Sequence, residues 1–177
     1  MSTKKSIEEL RSRRRQAQEK REREALRVQY GPKLVDTLSL AADCSLKLAD
    51  FRVDVCLPME ITWPQRLEQA PGLVTAYVDK QYALRIVTCA EQRLGITSGL
   101  IGFHDKDFLG FCYASGIRVG RLLAAAEAVN DSVVFYPEGA DGVIMVDYYS
   151  SNAAPPYSVI VQGDQLVEQL RNCFAGP

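Results

Sequence analysis

Residues 132–162 read SVVFYPEGADGVIMVDYYSSNAAPPYSVIVQ, and this stretch decides the fold. Ser132–Tyr136 is dense in β-branched and aromatic residues, the composition of a strand. Pro137-Glu138-Gly139-Ala140-Asp141-Gly142 is turn chemistry. Val143–Tyr149 reads as the return strand, Asn152–Pro156 as a loop and Tyr157–Gln162 as a third strand. Short turns between consecutive strands imply antiparallel pairing. Gly163-Asp164 punctuates the exit, and Leu166, Leu170 and Phe174 suit a closing helix.

Upstream, Ser115 is placed to cap a helix over about Ile117–Val129, supported by its alanine-rich run. Gly95, Gly99, Gly102 and Gly110 break the preceding stretch into short pieces. Two apolar segments, Leu73–Val78 and Tyr82–Cys89, are joined by Asp79-Lys80-Gln81. The second fits either period: Ala83, Ile86, Val87, Ala90 and Leu94 suit a helix, while Tyr82, Leu84, Ile86 and Thr88 suit a strand face. Valine and isoleucine density and the polar link favour a hairpin. Pro64 and Pro71-Gly72 bracket a short helical turn around Gln65–Gln69, and Phe51–Leu57 alternates with period two, a strand signature.

Leu34, Leu38, Ala41, Ser45 and Leu48 recur at helical spacing and predict an amphipathic helix over Lys33–Ala49. Residues 4–29 are rich in helix formers. Ile7, Leu10, Ala17 and Val28 give a seam interrupted by Arg14 and Arg21, so the reading is a solvated helix rather than a clean coiled coil. Gly31-Pro32 is expected to end it.

The sum is an α+β chain with a five-stranded antiparallel sheet and helices on one face, preceded by a helical extension. Its expected divisions are a basic arm over 1–30, a helix and strand preface over 31–64, and a folded domain over 65–177. Several segments resemble the PAS (Per-Arnt-Sim) sensory family. Residues 69–80 are similar to its first strand and aspartate-led turn, and residues 90–97 to a short helix ending in Leu-Gly. Residues 100–109 are similar to its Ile-Gly, Asp, Phe/Leu segment, residues 125–129 to the end of its connector helix, and residues 158–168 to its last strand and exit. The exit departs from the family, since Leu166 stands where a threonine usually follows Asp164.

The resemblance implies a pocket on one sheet face. Strand parity turns Leu84, Ile86, Thr88, Ile144, Val146 and Tyr148 inward beside Tyr157 and Val159, with Arg85 and Asp147 outward. Arg118 and Arg121 are candidate anchors for an anionic ligand. No cofactor or metal is expected. His104 lies outside the connector helix where haem-binding relatives place their iron ligand, and the stretch lacks the reactive-cysteine segment of light-sensing relatives. Asp105 and Asp107 lack further identifiable oxygen ligands. The glycines around Arg118 lack phosphate-loop spacing. No catalytic constellation emerges.

The 177 residues carry a net charge of −1, with 47% hydrophobic and 24% charged residues, which excludes a disordered chain or a fibre. Ten of the 21 basic and five of the 22 acidic residues lie in residues 1–27, so this arm carries +5 and the remainder −6. No apolar run is long enough to span a bilayer, and the charged N-terminus predicts no secretory signal. The expectation is therefore a cytoplasmic chain whose five cysteines are free, mostly buried thiols. The functional expectation is a non-catalytic PAS-type regulatory module that dimerises or binds a partner protein through its N-terminal helices. Arg14, Arg21, Leu34, Leu38, Ala41 and Leu48 are the candidate contact residues. A small-ligand sensor and a nucleic-acid-associated protein using the basic arm are the alternatives.

Overall fold

Val133–Pro137 (β4), Val143–Tyr148 (β5) and Tyr157–Gln162 (β6) form the antiparallel meander that their composition predicts. A computed structural model describes residues 2–61, 72–149 and 155–175, with side chains from Glu8 onward. The turn expected around Gln65–Gln69 and most of the Asn152–Pro156 loop lie outside the described residues. Leu73–Val78 (β1) pairs with β6, and Thr97–Phe103 (β2) and Phe111–Ile117 (β3) extend the sheet beyond β4. The order is β1-β6-β5-β4-β2-β3, antiparallel throughout. The α+β class holds, with six strands among the described residues where five were expected.

The count changes for two reasons. Residues 82–89 are not a strand; they lie inside the helix Lys80–Leu94 (α2). Asp79 caps it by accepting from Tyr82 N at 2.8 Å, and Ala83, Ile86, Val87 and Ala90 form its buried stripe. The glycines of residues 95–116 punctuate strands instead of breaking them. At Gly99, inside β2, a Cβ would sit 2.0 Å from the Tyr136 carbonyl oxygen, so the close approach of β4 requires glycine. Ser115 consequently lies in β3 and caps nothing. Beyond it the chain makes a 3-10 turn over Val119–Arg121 and then the helix Leu122–Val129 (α3).

One helix, Ser2–Ser39 (α1), runs through Gly31-Pro32, which was expected to end it. Proline removes one helical N–H but does not stop the helix here. At Gly31 the helix packs closely on Leu48, whose methyl carbon would lie 2.7 Å from an added Cβ. The strand expected over Phe51–Leu57 is absent: only Arg52 pairs, with Phe111, by bonds of 2.8 and 2.9 Å. Asp164–Leu170 (α4) closes the fold and continues into a 3-10 turn over Arg171–Phe174.

The helices share one face of the sheet. Leu34, Val35, Leu38 and Ala41, from α1 and just beyond, join α2, α3 and α4 over Phe103, Phe135, Ile144 and Val159 in a single core. The other face carries Val134, Tyr136, Val143, Met145 and Ile160 beneath Leu57, Met59 and Ile61. The preface and the following domain thus share one hydrophobic interior.

The cysteines depart from expectation. Cys89 of α2 and Cys173 are joined in a disulfide, Cys44 and Cys56 are exposed, and Cys112 is the buried thiol. Burial pushes the Cys112 thiol up to about 12, so it behaves as a small apolar side chain.

Leu38 is fully buried and Leu10 is 55% exposed, although both belong to α1. Leu38→Ala should cost about 2–5 kcal/mol in urea unfolding. Leu10→Ala should change stability by less than about 0.5 kcal/mol.

Candidate functional site

The pocket predicted from parity is filled. Ile86, Ile144, Val146, Tyr157 and Val159 are packed into the core, with Tyr148 half-buried beside them. Leu84 and Thr88 do not face it; both stand on the solvent side of α2. Asp147 points to the second sheet face, as alternation requires, but is only 2% exposed.

Arg118 and Arg121 grip a protein group. Arg118 Nε donates to both oxygens of Asp43, at 3.0 and 2.9 Å, and Arg121 Nη1 donates to Oδ1 at 3.1 Å. Main-chain bonds flank this clamp: Asp43 N to Gly116 O, and Arg118 N to Ala41 O, each 2.9 Å. The pair of arginines therefore staples the turn after α1 onto β3. Arg118 hydrogen bonding, with the charges of both arginines, holds the Asp43 carboxyl below the usual aspartate value.

A buried polar cluster occupies one end of the second sheet face. Ser132 Oγ donates to Asp147 Oδ1 at 2.8 Å, and Ser158 Oγ lies 3.5 Å from Oδ2. Asp131 accepts from Ser132 N and forms an ion pair with Lys106. All four of these serine and aspartate residues are buried. The hydroxyls are committed to a carboxylate that solutes do not reach, so the cluster ties β4, β5 and β6 together. His104 lies nearby, with its Nδ1 2.7 Å from Asp105. Among the described residues, no group of metal-ligating side chains is assembled.

The exposed feature is α1. Its 38 residues span about 57 Å. Every side chain from Glu8 to Leu26 is exposed, a projecting length of about 28 Å. Charges spaced four apart support it: Glu9 with Arg13, Glu19 with Arg23 and Lys20 with Glu24, joined by a 2.9 Å hydrogen bond from Gln18 to Glu22. Arg14 and Arg21 stand on this free segment. The rest of the predicted contact stripe does not: Leu34, Leu38 and Ala41 are buried in the chain's own core, and Leu48 packs against it.

Arg27 sets where the helix leaves the body. Its guanidinium donates to three main-chain carbonyls, Leu109 O at 3.2 Å, Leu48 O at 2.9 Å and Phe51 O at 2.7 Å. Leu48 opens a 3-10 turn over Leu48–Asp50, and its carbonyl also accepts from Phe51 N at 3.3 Å; Leu109 and Phe51 lie in loops, and the planar fork reaches all three. One turn further out, Arg23 meets Asp107 at 2.9 Å on the surface. Grooves flank the root of the helix on either side of Phe108. One, of about 540 Å³, is lined by Leu26, Tyr30, Lys33, Asp105 and Val129. The other, of about 630 Å³, is lined by Gln16, Lys20, Arg23, Arg27 and Val53. The sequence signalled the charge of this arm, but the role of Arg27 had no motif to announce it.

No known family model, curated protein or solved structure matches the chain. Among the described residues, no helix is long and apolar enough to cross a membrane.

Arg27→Met should cost about 1–3 kcal/mol by chemical denaturation, because buried carbonyls lose a charged donor. Arg27→Lys should restore only part of it, since an ammonium does not reproduce the fork. The Asp43 clamp carries its own pH signature. A folded pKa below the ordinary 3.8 gives stabilisation that is complete above that value and lost as pH falls through the lowered one. Between neutral pH and about pH 3, the thermal midpoint of the native chain should therefore fall further than that of Asp43→Asn.

Proposed function

We propose that this chain is a non-catalytic interaction module of PAS-like regulatory type that holds out α1 as its docking element for an acidic partner protein. The observation that carries the reading is the segment from Glu8 to Leu26, tied to the body by Arg27 and by the Arg23–Asp107 pair, with every side chain exposed. A helix of this length gains little from propensity alone, so pairing with a partner is where it acquires tertiary stabilisation.

The chemistry of the seam selects the partner. Arg14 and Arg21 share it with Leu10, Ala17 and Val28. Two parallel α1 helices in register would place each arginine against its own copy. An antiparallel pair centred between Ala17 and Gln18 would place Arg14 against Arg21. Like charges on a seam are specificity devices that disfavour self-pairing. A partner helix with apolar residues opposite Leu10, Ala17 and Val28, and carboxylates opposite the arginines, would satisfy all five positions. Glu19, Glu22 and Glu24 are interleaved with the cations, which suits a protein partner better than a phosphate backbone.

Support for the PAS-like element of the reading is confined to the arrangement of the strands. β1, which resembles the family's first strand, lies directly beside β6, which resembles its last. The hairpin β2–β3 and the helix α2 stand outside that likeness.

A designed helical peptide bearing leucines and glutamates at the complementary seam tests the reading by fluorescence anisotropy. It should bind the native chain, and Arg14→Glu with Arg21→Glu should weaken it at least tenfold. A random DNA duplex labelled in the same way should bind more weakly. If the duplex binds more tightly, with affinity falling steeply as salt rises, nucleic acid is the partner and the proposal fails.

A further inference from the structure

The two edges of the sheet are finished differently. On β3 the chain covers both ends, with Arg52 bonded to Phe111 and the Ala41–Asp43 turn bonded to Gly116 and Arg118. On β1 nothing among the described residues pairs with the outer edge. Gly163 N donates to Gly72 O at 2.8 Å, and these residues stand directly opposite in the β1–β6 register. Residues 72, 74, 76 and 78 therefore direct their main-chain groups at β6, while Leu73, Thr75 and Tyr77 direct theirs outward.

The strand itself reads Leu73-Val74-Thr75-Ala76-Tyr77-Val78. It contains none of the devices that blunt an edge: no charge, no proline and no bulge. Thr75 stands at the centre of this edge with its main-chain N–H and carbonyl directed outward, while its Oγ1, which has no hydrogen-bond partner, is covered by the chain itself.

We infer that β1 pairs antiparallel with β1 of a second copy across a two-fold axis through Thr75, joining two six-stranded sheets into one. The register follows from the outward residues. Thr75 faces Thr75 of the other copy, and Leu73 faces Tyr77 in both directions. Each copy supplies three outward N–H groups and three outward carbonyls, and the two-fold matches all of them. The two Thr75 side chains then lie on one face as a cross-strand pair, flanked by the exposed Tyr77 rings. With no charged side chain in the strand, no like charges meet at the axis. The same residues that leave the edge open are thus complementary to themselves, which is what an isologous contact requires. This contact is independent of the α1 reading.

Sedimentation equilibrium from about 1 μM to about 1 mM tests it. The native chain should show a monomer–dimer equilibrium. Thr75→Lys and Thr75→Glu should each weaken it at least tenfold by opposing like charges on the axis, and an equimolar mixture should recover a one-to-one heterodimer. Thr75→Pro removes an N–H that β6 does not use, and should also weaken the dimer at least tenfold with the fold retained by circular dichroism. Arg14→Glu with Arg21→Glu should leave the dissociation constant unchanged. A native chain that stays monomeric over the whole range overturns the inference. So does a dimer indifferent to residue 75, a mixture that fails to recover, or a dimer lost with the α1 substitutions.

Discussion

Val133–Pro137, Val143–Tyr148 and Tyr157–Gln162 bury side chains on both of their faces, so neither side of the sheet can be left to water. The rest of the structure answers that requirement. The first face takes α2, α3, α4 and the inner third of α1. The second takes Leu57, Met59 and Ile61, three alternate residues of a segment with no regular structure. The inner part of α1 is consumed as core, while the side chains from Glu8 to Leu26 stay exposed.

The join between the two halves of α1 is polar. Arg27 supplies donors to carbonyls of two segments, the Leu48–Phe51 turn and Leu109, and Asp43 gathers Arg118 and Arg121 just beyond the end of the helix. Both devices use guanidinium geometry to fix loops, the parts of a chain that lack a repeating ladder. The direction of the projecting segment is therefore set by side chains, which makes it definite without lengthening the core.

Much of this was legible in the residues. The meander of the last third has turns of proline and glycine between runs of β-branched residues, and it folds as its local chemistry dictates. The class and the single helical face follow from it. Residues 82–89 were ambiguous because two sets of positions, sharing only Ile86, satisfied the two periods; the Asp79 cap and the buried stripe decided for the helix. β2 and β3 were hidden because Gly99 and Gly102 serve close contacts within the sheet, a property of neighbours that a single sequence does not display. The candidate pocket failed differently. Ile144, Val146 and Val159 do face inward, but the helices pack directly on them. Arg118 and Arg121 could not be told from ligand anchors without seeing Asp43, some 75 residues earlier in the chain. The disulfide was likewise invisible, since Cys89 and Cys173 are 84 residues apart.

The neighbour relation of β1 and β6 also fixes a sequence of events. Leu73 pairs with Gln162, so the first strand finds its partner only after residues up to Gln162 have left the ribosome. Strands β2 to β5 pair through β2–β3, β2–β4 and β4–β5 contacts of shorter range, which need no residue beyond Tyr148. The ladder that closes last is the one with the greatest separation along the chain, and such closures slow folding because loop entropy is lost before contacts repay it. During synthesis β1 is thus a strand without neighbours on either side. The arrival of β6 supplies only one of them.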